Sequence, residues 1–312
     1  MGASCTREKI TIDGRRFYVI KRLGEGGFSY VDQVEESSTG KKFALKRIQC
    51  HSIPEEKAAE EEAKFHQLFN SPNLISLEAW CKQTASGEDS EVLLILPYLK
   101  RGTLQDELDK LSTRSEHLSE ERLWKLIRGI CEGVHALHHT DPPVAHRFDI
   151  IWSTFVSFTV FHQHWCWNLM TTTHHHGLWI DVTRPRRVKG ALAVALQDVA
   201  AEKCSMLFRA PELFHVDSHC TIDEKVDIWS LGCVFYNMAF LQSPFEPVYQ
   251  RGDSLHLAVL GRNYKFPENS RYSAGLKELV DSMLTVEALE RPNIDWVMDK
   301  LSTIDRDLQN QV

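Results

Sequence analysis

The chain lacks the marks of several large protein classes. Its eight cysteines, Cys5, Cys50, Cys81, Cys131, Cys166, Cys204, Cys220 and Cys233, form no C-x-x-C pair. Neither a zinc ribbon nor a disulfide framework is therefore indicated, and this usage suits a reducing compartment. No apolar run approaches the roughly 20 residues needed to span a bilayer, no secretory apolar stretch is visible, and nothing repeats. Strong charge is also missing: 36 basic residues against 43 acidic ones give a net charge of −7 and a pI near 6.1, which argues against nucleic acid as a partner. One absence is local, since no lysine or arginine occurs from Phe148 to Thr183. What is present is a chain of 312 residues, 43% apolar, enough for one large domain or two lobes with an ample core.

The most informative stretch is Leu23-Gly24-Glu25-Gly26-Gly27-Phe28-Ser29-Tyr30-Val31, followed by Ala44-Leu45-Lys46. Three glycines in four positions bare the backbone N–H groups, and backbone approaches a phosphate chain closely only where no Cβ intervenes. Ser29 stands where the third glycine of G-x-G-x-x-G would be. A dinucleotide fold needs a helix after such a loop. Here Asp32 to Glu36, the turn Ser37-Ser38-Thr39-Gly40 and Lys41 to Ile48 read as strand, turn, strand. The glycines then bend a hairpin, and Lys46 points from the adjacent strand toward the loop, where it can reach the phosphates of a nucleotide. The alternative is an ordinary hairpin with a solvated Lys46.

The flanking segments give further elements. Ile10-Thr11-Ile12, a turn at Asp13-Gly14, and Phe17 to Ile20 open a sheet. Pro54, early acids and a closing Asn70-Ser71-Pro72 bound a helix over Glu55–Phe69, with Ala58, Glu62, Phe65 and Phe69 on one face. A carboxylate on an apolar face needs a partner, and Lys46 is the natural one for Glu62; otherwise Glu62 is one more solvated acid beside Glu60 and Glu61. Gln83 to Ser90 reads as a polar, mobile loop, and Val92 to Leu96 as a buried strand breaking into a connector at Pro97-Tyr98-Leu99. Ser119-Glu120-Glu121 starts a helix with Leu123, Ile127, Ile130, Val134 and Leu137 on its inner face. Met1-Gly2-Ala3-Ser4-Cys5-Thr6 fits the myristoylation pattern, and Cys5 offers the second lipid site that stable anchoring needs. A chance Gly2 in an unstructured start is the alternative.

These motifs resemble those of eukaryotic protein kinases of the Numb-associated kinase family, and are most similar to its myristoylated and palmitoylated serine/threonine kinases. The likeness is carried by Leu23 to Val31, Ala44 to Ile48, Leu68 to Asn73, Lys100 to Leu104 and Ala145-His146-Arg147. It resumes at Leu196-Gln197-Asp198 and continues through Arg209 to Phe214, Asp227 to Cys233 and Glu290-Arg291-Pro292. The resemblance implies an α+β, two-lobed protein-kinase-like fold with a small β-rich N-lobe and a larger helical C-lobe. The expected organisation is a lipidated tail over 1–9, an N-lobe over 10–98, a C-lobe over 99–305 and a tail over 306–312. It also implies ATP and magnesium as cofactors and protein hydroxyls as substrates, with no nucleic-acid partner. The membrane surface would be met through Gly2 and Cys5, on the cytoplasmic face of internal membranes such as the Golgi.

The same resemblance assigns roles. The glycine loop from Leu23 to Val31, Ala44 and the backbone of Pro97, Tyr98 and Leu99 would hold the nucleotide, with Leu96 behind the adenine. Lys46, Glu62 and Asp149 would be catalytic. Glu212 and Arg291 would form a structural pair. Asp227 would tie the catalytic loop to the core, its rival role being a plain acid on a helix dipole.

The pattern fails in one block, residues 148–186. The loop reads His146-Arg147-Phe148-Asp149-Ile150-Ile151-Trp152-Ser153-Thr154, so Asp149 arrives one residue late. Ile151 and Thr154 occupy the lysine and asparagine offsets of a working kinase. Leu178-Trp179-Ile180-Asp181 mimics the metal-binding segment, but no glycine follows, and no metal ligand is assigned. Trp152, Trp165, Trp167 and Trp179 are half of the eight tryptophans, and His162, His164 and His174-His175-His176 crowd in beside them. Three readings follow: an active kinase with a displaced acid, a pseudokinase that binds nucleotide or scaffolds, or a kinase gene in which this block is foreign. The contiguity of every loss favours the third.

Overall fold

The computed structural model describes residues 8–25, 29–68, 71–84, 89–100, 104–140, 186–187, 191–217 and 221–309. Gly2, Cys5, Gly26, Gly27, Phe28, Asp149, Asp181 and most of the atypical block lie outside these residues. The described residues fall into two compact units, 8–104 and 105–309. None of their helices is long and apolar enough to cross a membrane.

The first unit is a six-stranded antiparallel sheet with one helix. Strands β1 (Lys9–Ile12) and β2 (Arg15–Glu25) are joined by a tight turn in which Asp13 and Gly14 both have positive φ, 50° and 72°. Such a turn matches the strand twist and explains the Asp-Gly pair. Strands β3 (Ser29–Glu36) and β4 (Lys42–Cys50) form the second hairpin, which Gly40 closes at φ 66°. Helix α1 (Ile53–Leu68) follows, and then β5 (Ala79–Thr84) and β6 (Ser90–Pro97). The spatial order is β1-β2-β3-β4-β6-β5. The polar stretch expected as a loop over 83–90 is therefore strand at both ends, with Gln83 paired to Glu91 and Thr84 to Ser90.

Both faces of β4 and β6 are buried, which is why they read as unbroken apolar runs. Phe43, Leu45, Leu93 and Ile95 join Ile10, Ile12, Phe17 and Val34 in a core lined by one face of the sheet. Ile48, Cys50, Val92 and Leu94 on the other face pack against Ala59 and Ala63 of α1. The buried stripe of α1 is Ala59, Glu62, Ala63 and His66, with Ala58 and Phe65 only half-buried at its edge. The expected face of Ala58, Glu62, Phe65 and Phe69 thus shared Glu62 with the true one but was out of phase; Phe69 lies outside the described residues. Small alanines approach the sheet more closely than Phe65 can. At its start, Ser52 Oγ accepts from Glu55 N at 3.4 Å and the Glu55 carboxylate accepts from His51 N, in the manner of a capping box.

The second unit is helical. Its elements are α2 (Leu104–Thr113), α3 (Glu120–His138), a two-residue ribbon of β7 (Arg186–Arg187) with β8 (Thr221–Ile222), and α4 (Ala191–Lys203). Then come two 3-10 turns, Met206–Phe208 and Pro211–Leu213. After them follow α5 (Lys225–Phe240), α6 (Glu246–Gln250), α7 (Leu255–Leu260), α8 (Ala274–Met283) and α9 (Ile294–Gln309). The side chain of Ser119 accepts from Arg122 N and caps α3, whose Leu123, Ile127, Ile130, Val134 and Leu137 are buried as the sequence pattern requires. Helix α5 is buried nearly all round and ends at Leu241 in the left-handed conformation. Tyr272 OH donates to Leu118 O at 2.9 Å, tying the segment before α8 to the start of α3.

Candidate active site

The nucleotide-facing half of the site can be built from the first unit alone. Strand alternation puts Ala44, Lys46 and Ile48 of β4 on one face, with Leu94 and Leu96 of the neighbouring β6. On that face Val31, Ala44 and Leu96 form a buried apolar cluster, with Leu23, Ile75 and Leu77 packed against it. Leu23 and Val31 sit on the two limbs of the glycine loop, so the cluster spans from that loop to the end of β6. There Pro97 pairs with Phe43, and half-buried Tyr98 and Leu99 follow.

Two residues beyond Ala44 on β4, Lys46 Nζ lies 2.7 Å from Glu62 Oε1. Both side chains are buried, at 3% and 7% exposure, so water does not weaken their attraction. Glu62 Oε2 is also buried but makes no hydrogen bond. One turn further along α1, His66 is buried as well, and burial holds its imidazole below the usual value; Glu62 opposes that shift and Lys46 adds to it. His66 was missed in the sequence. The signal was its spacing, since it follows Ala59 by seven residues and Glu62 by four.

The limbs of the glycine loop are pinned on the outside. Asp32, nearly fully buried, accepts a hydrogen bond from Arg22 Nε at 2.6 Å and forms an ion pair with Arg47, whose Nε lies 3.0 Å away. The two guanidinium groups lie over the ring of Tyr30, at 3.8 and 5.4 Å from its centre. Ser29 Oγ, at the inner end of the second limb, is buried with no hydrogen-bond partner. These residues fit a nucleotide: an apolar cluster for the base, a buried lysine, and a hydroxyl with no hydrogen-bond partner.

In the second unit, the expected pair of Glu212 and Arg291 is in place. Arg291 NH1 and NH2 donate to Glu212 Oε1 and Oε2 at 2.8 and 2.9 Å. Its other N–H groups reach the carbonyls of Thr285, Lys225 and Val286, so the whole guanidinium fork is used. Asp227 lies in the first turn of α5 but is fully buried, and its Oδ2 is 2.9 Å from His138 Nε2. It is therefore not a solvent-facing acid on a helix dipole. The sequence reading missed His138, although it continues the buried stripe of α3 four residues after Val134. The segment carrying Glu212 is fixed to α5, because Ser230 Oγ donates to Phe208 O at 2.9 Å. Arg209 also donates to Cys204 O at 2.7 Å.

A sheet-based unit with a buried lysine–glutamate pair, joined in sequence to a helical unit with a locked Glu–Arg pair, defines a class. The chain matches the protein kinase domain family over residues 17–150 and 191–301, and it belongs to that family. It is 40% identical over 305 residues to the human serine/threonine-protein kinase 16, covering 96% of this chain and 94% of the relative. It is 32% identical to the kinase ppk13 of Schizosaccharomyces pombe, over 94% of this chain and 91% of that one. It is 26% identical to the Saccharomyces cerevisiae kinase ENV7, over 95% and 94%. By this homology it is a serine/threonine protein kinase. The expected α+β fold is correct, with a sheet-rich N-lobe and a helical C-lobe. The family normally uses ATP and magnesium and acts on protein substrates. The matched segments leave out 151–190, most of the block that reads as atypical.

Proposed function

We propose that this protein is a membrane-anchored serine/threonine kinase whose chain, as it stands, binds ATP but transfers phosphate poorly. The observation that carries the reading is the buried Lys46–Glu62 pair at 2.7 Å, beside the apolar cluster of Leu23, Val31, Ala44 and Leu96. In this reading Glu62 holds the Lys46 ammonium toward the α- and β-phosphates, the glycine loop Gly24 to Ser29 supplies backbone N–H groups, and Pro97 to Leu99 meet the adenine edge. Magnesium, when bound, neutralises charge on the phosphates during transfer. Transfer also needs a carboxylate to accept the hydroxyl proton and further groups to hold the metal. Asp149 is the only acid near the expected place, and Phe148 displaces it by one residue. Catalytic groups must sit within about half an ångström of productive geometry, so a displaced acid serves badly.

The experiment is a phosphotransfer assay of three proteins: the chain as written, a repaired version and Lys46→Met. The repair restores a His-Arg-Asp-x-Lys-x-x-x-Asn loop and an Asp-Leu-Gly segment. The repaired protein should be at least about a hundredfold faster than the chain as written. Equal rates for the two would remove the argument about 148–186. A transcript read across the codons for Ala145 to Gln197 would decide whether the block is native. The contiguity of its departures supports a foreign origin. A pseudokinase is the second reading, favoured by the intact lysine, glutamate and apolar cluster, which can hold a nucleotide without any transfer.

Anchoring would run through a myristoyl group on Gly2 and a palmitoyl group on Cys5, placing the protein on the cytoplasmic face of internal membranes such as the Golgi. The resemblance to the lipidated Numb-associated kinases supports this. One myristoyl chain binds only marginally, so the two lipids act together. Gly2→Ala should move the protein to the soluble fraction, and unchanged partitioning would refute the anchor.

A further inference from the structure

We propose that His135, His139 and Asp295 form a zinc-binding site that staples the end of α3 to the start of α9. His135 lies in the last turn of α3 and His139, four residues on, caps its end, with the two rings side by side. Asp295 lies in the first turn of α9, which Asn293 caps by accepting from Trp296 N at 3.0 Å. Asp295 Oδ1 is 3.2 Å from His135 Nε2 and 3.2 Å from His139 Nε2. All three ligand atoms lie within 4.8 Å of one another. Zinc bonds of about 2.0–2.1 Å to imidazole and carboxylate, arranged tetrahedrally, put neighbouring ligand atoms roughly 3.3 Å apart. The carboxylate-to-imidazole spacings therefore already match the edges of such a site. The three side chains are 41–52% exposed, so a water can supply the fourth ligand.

A further observation points to a cation. His139 Nδ1 donates to the carbonyl of His135 at 2.9 Å. A backbone carbonyl on the other ring nitrogen is the usual orienting partner of a metal-bound histidine. It also puts a hydrogen on Nδ1, so Nε2 is the nitrogen that faces Asp295. Nε2 faces a carboxylate oxygen at 3.2 Å, a spacing that calls for positive charge, supplied by a metal ion or by a second ring proton. The His135 and His139 rings stack, 3.9 Å between centres and 18° from parallel. Side-chain rotation must open this stack for both rings to aim a nitrogen at one ion. The scaffold is firm, because Val134 and Leu137 of α3 and Val297 and Leu301 of α9 are all buried. Two imidazoles and a carboxylate favour zinc over magnesium or calcium. The site does not depend on the kinase chemistry.

The test is Zn2+ and Co2+ titration of the full chain by calorimetry and visible absorption, with thermal melting in parallel. Parallel proteins carry His139→Ala, Asp295→Asn, or alanine at His174, His175 and His176. The parent and the histidine-tract variant should bind one Co2+ with a tetrahedral visible band, and Zn2+ should raise their melting temperature. Losing an outer-shell partner alone costs roughly 10–100-fold in affinity, so losing a ligand should cost at least that. His139→Ala and Asp295→Asn should lose the band and the melting shift. Asp295 is exposed, so Asp295→Asn should keep its metal-free melting temperature even if His139→Ala folds badly. Unchanged affinity in Asp295→Asn would overturn the site. So would loss of all binding in the tract variant, or no uptake by the parent; the last outcome would leave a proton as the cation between ring and carboxylate.

Discussion

Two buried ion pairs, one in each unit, differ in how completely they are satisfied. Arg291 spends every N–H on Glu212 and three carbonyls. Lys46 meets Glu62 through a single oxygen, and the second oxygen stays buried without a hydrogen bond. The first arrangement has no alternative that keeps its bonds. The second leaves a carboxylate that gains hydrogen bonds whenever α1 turns it toward water. A buried pair of this kind contributes little net stability, because desolvation offsets attraction. The difference teaches that one pair locks its unit, while the other suits an element that a kinase repositions.

The contrast can be broken most forcefully at Arg291. Arg291→Ala leaves Glu212 without its cation and takes a donor from three carbonyls, so the second unit should lose about 3–5 kcal/mol. Calorimetry should show its melting temperature falling by roughly 10 °C. Arg291→Lys should recover little of that, since one ammonium cannot replace a planar fork. Retention of the parental melting temperature in Arg291→Ala would show that the lock is decorative.

A smaller effect is expected at the other pair. Lys46→Met should cost about 1–3 kcal/mol, the penalty for orphaning one buried group. Adding Glu62→Leu should restore much of that loss, because an apolar pair of similar size can replace a buried ion pair. In the repaired kinase, both variants should have lost phosphotransfer. A double variant less stable than Lys46→Met would reverse the contrast.

Acid should sharpen it further. Burial keeps His66 neutral in the fold, so below about pH 6.5 the unfolded chain binds a proton that the folded chain resists. That contribution is complete above pH 6.5 and is lost as pH falls below it, by at most about 1.4 kcal/mol per pH unit. Denaturant titrations of the first unit should show this slope, and His66→Leu should flatten it. The smallest effects are expected at the helix starts. Ser119→Ala should cost the second unit about 0.5–1 kcal/mol, and Ser52→Ala should do the same to the first. Both are readable as shifts in denaturant midpoint.

Much of this was legible in the residues. The Asp13-Gly14 and Gly40 turns announced both hairpins, because positive φ favours those residue types. Ser119 announced α3, and Glu212 and Arg291 matched a known pair. The phase of α1 was harder, since a helix of alanines and glutamates offers little apolar contrast and its packing against the sheet selects the stripe. His138 and Asp227 are 89 residues apart, and only the tertiary fold brings one buried polar group to the other. Helix α4 carries almost no polar face, so no periodic signal marked it.

The burial of cysteine sulfur gives the protein a record of its own opening. Cys131 and Cys233 lie wholly inside the second unit, and burial raises both thiols far above their ordinary range. In the first unit Cys50 is pushed up to about 11, while Cys81 on β5 is only half-buried. A thiol reacts as thiolate, so an alkylating reagent must wait for each site to open. The labelling rate at Cys81 therefore follows local fraying of β5. The rates at Cys131 and Cys233 follow the rarer excursions in which the second unit comes apart.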